Sequence, residues 1–391
     1  VIEQNAEDDV PCDQPLEGPC AQNSEQPLCK YASQIDVYRM HASHATGPVY
    51  ARHIGSRMYR GEAFAMQVDA HVQFVVDWDE LIVKQWRATG NDMAVLSTYL
   101  TDVQDSIDEL GRSRRKTRPI MCNSNFEGRH PERYLRHGAQ PEEEPKIKGV
   151  PMLQPFWAAG FSFSRGHFVA RVPYDCCLPY VFMGEEISIG VRGWTHGYDF
   201  YATEFSVVFH EYAQKSKRRR GVHMFWEQRG RKSGGNAMGR LTHAIQIAPD
   251  VDVSTIDTTD LDKYGLGSVR PVELFYKLFL VDTHRRLAEP LCKFVKTGVM
   301  HRSFQRYLQP DGGIDYSKLR DYDTKKAIEH ELDTNWRPQA KRGLVRALEM
   351  NEIGWLRNAI DAANRAEVQK TAPDLLKQAK NALSALQSQQ H

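Results

Sequence analysis

The sequence predicts an α/β protein, in which apolar strands alternate with helices, followed by a small helical C-terminal region. The clearest strand signal is the apolar run at 64–74, which contains an Asp and a His two residues apart. A second strand is predicted at 205–210 and ends on another His. Residues 344–360 and 375–386 instead carry apolar side chains at helical spacing, which predicts a hairpin or short bundle of helices.

The remaining predicted elements are, in order, strands at 1–4 and 35–38, a helix at about 49–59, a helix bearing Leu81, Ile82 and Trp86, a strand at 95–99, and a helix from Gly184 to about Thr195. The helix at 49–59 is expected because Gly47 and Pro48 break the chain before it. The helix after Gly184 is expected to end at Gly197, since glycine readily takes the left-handed conformation of a helix end. Residues 102–118 are charged and lack a strand period, so we expect an inserted loop or a short helix there.

Length and composition indicate a globular protein with about two domains. The chain has 391 residues, of which 41% are hydrophobic and 26% charged, so it can bury a sizeable core. Lys and Arg total 51 against 50 Asp and Glu, and we therefore expect no nucleic-acid partner. No stretch is long and apolar enough to span a bilayer. The basic run Lys217–Arg220 is the local exception, and it indicates either a solvated loop or a contact to a diphosphate or an acidic partner.

Seven cysteines give no strong signal, because they form no pair of Cys-x-x-Cys motifs of the kind that a zinc ribbon requires. Cys12, Cys20 and Cys29 fall in a loop-like stretch, where one disulfide or a zinc clip is an alternative. Free thiols in a reducing compartment are the simpler interpretation, and the absence of Asn-x-Ser/Thr acceptor sites also favours the cytoplasm. The sequence therefore predicts a cytoplasmic protein, with the secretory pathway as the alternative.

Asp69 and His71 are candidate metal ligands. Side chains at i and i+2 of a strand share one face, so a strand that runs through 64–74 would present both residues to one cation. A carboxylate beside an imidazole suits a divalent ion such as Mn²⁺ that also holds phosphate oxygens, whereas a structural zinc site would use more thiolate or imidazole ligands. This donor set indicates a nucleotide-sugar diphosphate as the bound group. The structural alternative is a polar pair at a strand end.

Three further motifs follow Asp69 and His71 in the sequence. The order of the motifs is a more specific signal than any single motif. The three motifs are Gln154–Gly166, which is apolar around Gly160, Pro179–Asp199, in which Gly-Glu-Glu opens a helix that carries Arg192, and the strand at 205–210. Together with Asp-x-His, these motifs resemble the GT-A fold glycosyltransferases, specifically the GlcNAc-transferase family of the cytoplasmic enzymes that modify hydroxyproline. The resemblance covers residues 1 to about 285. It extends more distantly to the mucin-type polypeptide GalNAc-transferases.

The resemblance implies roles for individual residues. Asp69, His71 and His210 would hold the metal and leave positions open for both phosphates of a UDP leaving group, and Asp69 would thereby also act in donor binding and catalysis. Glu185 matches the catalytic-site acid that hydrogen-bonds the donor sugar. Gly160 matches the point where the backbone passes beneath that sugar, which a residue without a Cβ permits. For Gly160 alone, the alternative is a bulge inside a strand.

Two arginines are implied in donor binding. Arg52 belongs to a Gly-Pro-x-x-Ala-Arg segment whose Arg reaches the donor nucleotide in the resembling families, and the alternative is a surface ion pair along its helix. Arg192 matches the Arg of the Gly-Glu helix, and it could instead only buttress that helix through an ion pair. The neighbouring Glu186 could simply complement the helix dipole.

The implied activity is a retaining, metal-dependent transfer of GlcNAc from UDP-GlcNAc to a polypeptide hydroxyl, of hydroxyproline or of Ser/Thr, with Mn²⁺ or another divalent cation as cofactor. A GT-A catalytic domain is expected at 1–290 and a helical region at 291–391. In the family another strand and a helix precede the strand at 1–4. We therefore expect this chain to lack the first strand and helix of the domain.

Several alternatives stay open at this stage. A related enzyme could use another UDP-sugar, because hydroxyl epimers are distinguished by pocket contacts that a sequence does not display. The chain could also be a noncatalytic subunit of a larger assembly, joined through its helical tail, or a metal-dependent hydrolase that uses the same ligands. The glycine-rich loop Tyr264–Arg270 indicates either a lid over the donor or a simple connection.

Overall fold

The structure, a computed structural model, describes residues 1–129, 133–212, 235–248, 250–310 and 312–388. The chain divides into two compact units, Val1–Arg320 and Asp321–His391. Strands and helices alternate through the first unit, and the described elements of the second unit are helical. The predicted α/β class with a helical C-terminal region is therefore confirmed.

The strands of the first unit are β1 (Ile2–Asn5), β2 (Tyr38–His41), β3 (Phe64–Val68), β4 (Val72–Phe74), β5 (Ala94–Ser97), β6 (Arg118–Pro119), β7 (Ser124–Glu127), β8 (Tyr134–His137), β9 (Glu142–Glu143), β10 (Met152–Leu153), β11 (Phe161–Arg165), β12 (Asp199–Ala202), β13 (Val208–His210), β14 (Val281–Asp282) and β15 (Leu287–Ala288). Its α-helices are α1 (Pro27–Lys30), α2 (Pro48–Arg57), α3 (Trp78–Ala88), α4 (His167–Arg171), α5 (Glu185–Thr195), α6 (Gly235–Ala244), α7 (Val272–Leu278), α8 (Cys292–Lys296) and α9 (Val299–Phe304). The second unit contains α10 (Thr324–Glu331), α11 (Arg337–Met350), α12 (Ile353–Arg365) and α13 (Pro373–Ser388). Within the described ranges, none of these helices combines the length and the hydropathy that crossing a bilayer requires.

The main sheet of the first unit has five strands in the order β10-β12-β5-β11-β3. Strands β5 and β12 run parallel, whereas the other neighbouring pairs are antiparallel. Every residue of β5 and β12 is buried, so these central strands are covered on both faces. Strand β11 lies between β5 and β3 and places Phe163 opposite Leu96 on one side and Met66 on the other.

The apolar run at 64–74 is not one strand, which corrects the sequence prediction. Strand β3 ends at Val68 and pairs with β11 in the main sheet, whereas β4 pairs with β13 in a separate two-stranded sheet. The chain bends between the two strands because they have different partners. Asp69 and His71 therefore lie in the connection and not on one face of a continuous strand.

Most other predicted elements of the first unit are present. Helices α2, α3 and α5 and strand β5 lie close to the predicted bounds. The strand predicted at 35–38 begins at Tyr38 instead, where β2 pairs in parallel with β1. The charged segment 102–118 is a loop closed by an isolated bridge between Ile107 and Ser113, with the short β6 at its end.

The first unit continues to Arg320, beyond the boundary that the sequence suggested at residue 290. Leu291, Phe294 and Phe304 are all fully buried, so residues after 290 belong to its core. Cys292 also forms a disulfide with Cys122, which ties α8 to the segment before β7. The expected boundary at 290 followed the end of the resemblance to the family, which does not reveal contacts between residues distant in sequence.

Four of the seven cysteines are paired, so the expectation of free thiols is wrong for Cys20 and Cys29, which form the one disulfide given as the alternative. Cys20 is bonded to Cys29, and Cys122 is bonded to Cys292 across 170 residues of sequence. The second pair meets because the Leu291 N–H donates to the Cys122 carbonyl oxygen at 2.9 Å, which sets the two cysteines side by side. The remaining thiols, on Cys12, Cys176 and Cys177, are free.

The second unit is a small helical bundle with its own core. Leu344, Leu356 and Ala363 are fully buried between α11, α12 and α13. Helix α10 passes into α11 through a π-helical turn at Leu332–Trp336. The predicted helices at 344–360 and 375–386 are confirmed.

Removal of the Cys122–Cys292 disulfide should destabilise the first unit. Because the bond closes a long loop, Cys122→Ser combined with Cys292→Ser should lower the free energy of unfolding by about 2–5 kcal/mol in urea titrations. The matched control is Cys20→Ser with Cys29→Ser. This pair is separated by only nine residues, so its removal should lower the free energy of unfolding less. Equal losses in the two variants would contradict this account.

The partly buried His301 should make the protein less stable in acid. Burial lowers its pKa from 6.5 to about 4, and its Nδ1 accepts the Leu153 N–H at 3.2 Å. As the pH falls, His301 is therefore protonated in the unfolded chain before it is protonated in the folded protein. Its contribution to the free energy of unfolding is complete above about pH 6.5 and is lost toward about pH 4. In urea titrations at about pH 7.5 and 4.5, His301→Gln should remove roughly 2 kcal/mol of this decline. An unchanged pH dependence would show that His301 is not the group responsible.

Candidate metal centre

Asp69, His71 and His210 come together at the edge where β3 and β4 separate. Asp69 directly follows β3, and its N–H donates to the Gly160 carbonyl oxygen at 3.3 Å. Antiparallel pairing of β4 with β13 places His210 opposite Val72, next to His71. One ligand atom from each of the three side chains lies within 4.8 Å of the others. The structure thus brings together all three predicted ligands.

Backbone hydrogen bonds hold His71 and His210 from several directions. The Glu211 N–H donates to the His71 carbonyl oxygen at 2.9 Å, and the His210 N–H donates to the Thr101 carbonyl oxygen at 3.0 Å. The His210 carbonyl oxygen in turn accepts the Val103 N–H at 2.9 Å. Three chain segments thus hold the backbone at these positions, and the two imidazole rings lie with their centroids 4.2 Å apart.

The donor set suits a divalent cation. His210 Nε2 lies 3.4 Å from Asp69 Oδ2, and the buried His210 Nδ1 has no hydrogen-bond partner in the part of the chain that the structure describes. Partial burial and the neighbouring His210 lower the pKa of His71, which favours the neutral imidazole that binds metals. Burial raises the pKa of Asp69, but His210 and Arg52 outweigh that effect and hold it below its usual value. One carboxylate and two imidazoles fit Mn²⁺, although the same set also accepts related ions.

Arg52 connects the metal-binding acid to the predicted sugar-binding acid. It lies on α2, and its Nη2 donates to Asp69 Oδ1 at 2.9 Å while its Nη1 donates to Glu185 Oε1. Burial would lower the pKa of Arg52, but the charges of Glu185 and Asp69 raise it. The structure therefore places Arg52 in the site and shows more than a surface ion pair. Its contact with a donor nucleotide stays a prediction.

Glu185 is the first residue of α5, and its side chain is only 4% exposed. Burial raises its pKa to about 7, against the opposing charge of Arg52. Its Oε2 is buried and has no hydrogen-bond partner among the described residues. A buried carboxylate oxygen without a partner is unfavourable, so the site is suited to a ligand that supplies a hydroxyl group.

Gly160 lies directly against Asp69. A Cβ at this position would be 3.4 Å from Asp69 Oδ2, so even a small side chain here would contact the carboxylate. Gly160 is not inside a strand, because β11 begins at Phe161. The bulge alternative for this glycine is therefore wrong, whereas its approach to a donor sugar stays a prediction.

Arg192 has other contacts. It is buried on α5, where its Nη1 donates to the Pro173 carbonyl oxygen at 2.8 Å and its Nε donates to the Gly265 carbonyl oxygen at 3.3 Å. These bonds hold two chain segments against the helix, and no ion pair of Arg192 is found in the described ranges. Its role in donor binding stays a prediction.

The loop Tyr264–Arg270 is pinned to the end of α5. The Gly267 N–H donates to Thr195 Oγ1 at 2.8 Å, and the Val269 N–H donates to the Thr195 carbonyl oxygen at 3.0 Å. A Cβ on Gly267 would be 2.6 Å from the His196 nitrogen, so glycine is required for this close approach. These contacts favour a fixed connection over a lid. The basic run Lys217–Arg220 lies outside the described residues.

Three residues near the site, Tyr99, Gln67 and Tyr174, were missed from sequence, and for Glu186 only a dipole role was considered. Tyr99 and Glu186 share a hydrogen bond of 2.7 Å, and Gln67 donates to Tyr174 Oη at 3.0 Å. The Tyr174 ring also lies 5.9 Å from the Arg52 guanidinium carbon. The sequence does contain a signal for Glu186 and Tyr99. Each is a polar residue at the end of a predicted element.

With this geometry established, comparisons with known proteins give the family. A family profile described as Glycosyltransferase (GlcNAc) matches residues 1–285. The chain belongs to the GlcNAc glycosyltransferase family. The match confirms the resemblance and covers the strands and helices that hold the candidate metal centre.

Other comparisons add little beyond the family. Among solved structures, the chain is similar to a crystal structure of GalNAc-T7 with UDP, GalNAc and Mn²⁺, with 16% identity and a TM-score of 0.41. The match covers 68% of this chain and 49% of that one, so this chain spans about half the length of GalNAc-T7 in that structure. A comparison with curated proteins finds no match.

His71 is the clearest position for a metal-binding test, because its side chain is exposed and its removal leaves the core intact. Residues that merely support metal ligands typically contribute about tenfold or more to affinity, so His71→Ala should weaken Mn²⁺ binding by at least roughly tenfold in calorimetric titrations. His284→Ala replaces another exposed histidine and should bind Mn²⁺ as the unchanged protein does. Equal affinity in all three proteins would remove His71 from the site.

Proposed function

We propose that this protein is a metal-dependent, retaining glycosyltransferase that moves GlcNAc from UDP-GlcNAc to a polypeptide hydroxyl, of hydroxyproline or of Ser/Thr. The observation that carries the proposal is the convergence of Asp69, His71 and His210 beside Glu185, whose buried Oε2 lacks a partner among the described residues. Membership of the GlcNAc glycosyltransferase family supports glycosyl transfer as the reaction class.

The metal side of the proposed mechanism rests on three residues. Asp69, His71 and His210 would hold a divalent cation, for which we propose Mn²⁺. When bound, the cation stabilises the negative charge that develops on the departing diphosphate. Because these residues supply only three donor groups, further coordination positions are available to phosphate oxygens.

The sugar side rests on Glu185 and Gly160. With a pKa of about 7, Glu185 can accept a hydrogen bond from a sugar hydroxyl as a carboxylate or donate one as an acid. The absence of a Cβ at Gly160 leaves room next to Asp69. Arg52 lies between the two acids, and we propose that its positive charge also favours the donor diphosphate.

In the proposed transfer, the bond from the anomeric carbon to the diphosphate oxygen breaks and UDP leaves with the electron pair. The acceptor hydroxyl oxygen forms the new bond to the anomeric carbon, on the same face that UDP leaves. The hydroxyl proton passes to the departing phosphate. No side chain is assigned as a covalent nucleophile.

The two disulfides are informative about the cellular compartment of the protein. The sequence predicted a cytoplasmic protein, but Cys20–Cys29 and Cys122–Cys292 favour an oxidising environment such as the secretory pathway, because thiols stay reduced in the cytosol. We therefore propose the oxidising compartment. Assembly through the helical second unit stays a prediction.

The direct test is turnover of a panel of UDP-sugars with Mn²⁺, with and without acceptor peptides that contain hydroxyproline, Ser or Thr. One donor, expected to be UDP-GlcNAc, should be consumed, and Asp69→Asn should reduce its turnover at least about 100-fold because metal binding is impaired. Asp79→Asn, which replaces an exposed acid in the first turn of α3, is the matched control and should remain active.

Other results would assign a different function. Consumption of another UDP-sugar alone would change the donor but not the reaction. Water as the only acceptor in the presence of peptide would indicate a hydrolase. No turnover of any donor together with no UDP binding would contradict the proposal and indicate a noncatalytic subunit.

A further inference from the structure

Glu186, next to Glu185 at the start of α5, joins three segments of the first unit. Its Oε1 accepts the Ala159 N–H at 2.8 Å, and its Oε2 accepts the Tyr99 O–H at 2.7 Å. Tyr99 lies just after β5, and Ala159 precedes Gly160. One carboxylate therefore ties the helix that carries Glu185 to the segment that carries Gly160 and to the end of a central strand.

We propose that Glu186 is a positioning residue, which together with Tyr99 sets Glu185 and Gly160 at the distance that the sugar of the donor requires. This inference rests on the proposed glycosyltransferase function. It goes further by assigning the recognition of the sugar, as distinct from the diphosphate, to a hydrogen-bond network with Glu186 at its centre.

The alternative role for Glu186, complementing the helix dipole, does not account for its contacts. A dipole interaction needs only a negative charge near the first turn, and it is satisfied by an exposed carboxylate. Glu186 instead uses both oxygens in short hydrogen bonds to two other segments. Hydrogen bonds to an ionised carboxylate are stronger and more directional than neutral ones, so they fix the relative positions of the groups that they join.

The segment that Glu186 holds is also fixed from its other side. The Ala159 carbonyl oxygen accepts Gln67 Nε2 at 2.6 Å, and the Ala158 N–H donates to Ser97 Oγ at 2.8 Å. Glu186 supplies the bond that connects this segment to α5. Another link between Glu185 and Gly160 runs through Arg52 and Asp69, and the bond of Glu186 adds a direct tie between α5 and the residue before Gly160.

Most supports of the metal ligands lie outside this network, and in the described part of the chain Asp69 alone of the three bonds the Gly160 segment that Glu186 holds. His71 and His210 are fixed by the pairing of β4 with β13, and Asp69 by Arg52 and by the Gly160 carbonyl oxygen. None of these contacts uses an atom of Glu186. Loss of the Glu186 carboxylate should therefore disturb sugar recognition more than diphosphate recognition.

The test compares two ligands on the full chain in the presence of Mn²⁺, namely UDP and UDP-GlcNAc, or the UDP-sugar that the donor panel selects. Glu186→Ala should weaken binding of the UDP-sugar at least roughly tenfold in calorimetric titrations while the affinity for UDP changes less than about threefold. Glu185→Ala should show the same separation, because it removes the group that contacts the sugar. Asp69→Asn should weaken binding of both ligands.

Two further variants separate positioning from helix stability. Glu186→Gln keeps a carbonyl oxygen for the Ala159 N–H and an amide that can donate to the Tyr99 oxygen, so it should recover most of the affinity for the UDP-sugar. Glu80→Ala removes an exposed acid from the first turn of α3 and reports the effect of losing a dipole partner alone. It should bind both ligands as the unchanged protein does.

Two results would overturn the proposal. If Glu186→Ala weakens UDP and UDP-sugar binding equally, with a matching loss of thermal stability, Glu186 has only a structural role. If it leaves both affinities unchanged, the network does not serve recognition. Failure of the unchanged protein to bind UDP with Mn²⁺ would instead refute the proposed function, so the two failures are distinguishable.

Discussion

The candidate site depends on the antiparallel pairing of β4 with β13. This short sheet brings His210 beside His71, although the two residues are far apart in the sequence, and the bend before β4 places Asp69 against both. The pairing is reinforced where Thr101 and Val103 bond the backbone of His210 on its other side. Because three segments meet there, a loss of register in β13 would move a ligand to the opposite face and dissolve the cluster.

Charge balance is the second constraint on the site. Glu185 is buried, Asp69 and Glu186 are partly buried near it, and Arg52 contacts the first two of these acids directly. Burial raises the pKa of both glutamates, which shows how little solvent stabilises their charge. A divalent cation at the Asp69 cluster would add positive charge to an environment that is rich in carboxylates. The same acids are therefore central to the proposed metal binding and sugar recognition, and Glu186 also holds α5 in position.

The sequence was sufficient for most elements and for the candidate residues that the structure brings together, but not for their connections. Local signals such as Gly47-Pro48 and Gly-Glu-Glu placed α2 and α5, and the order of motifs identified Asp69, His71, His210, Arg52 and Glu185. The single strand assumed at 64–74 was wrong, because apolar alternation does not reveal that β3 and β4 pair with different strands. The Cys122–Cys292 bond and the network of Glu186 with Tyr99 also depend on contacts between distant segments, which a local pattern does not contain.

The most direct test of this account is a crystal structure of the protein grown with Mn²⁺ and UDP, with anomalous diffraction to locate the metal. The account predicts one manganese peak at about 2.0–2.4 Å from a carboxylate oxygen of Asp69 and from one nitrogen each of His71 and His210, with diphosphate oxygens completing its coordination. A manganese ion bound elsewhere, or one that leaves His210 outside coordination distance, would contradict it.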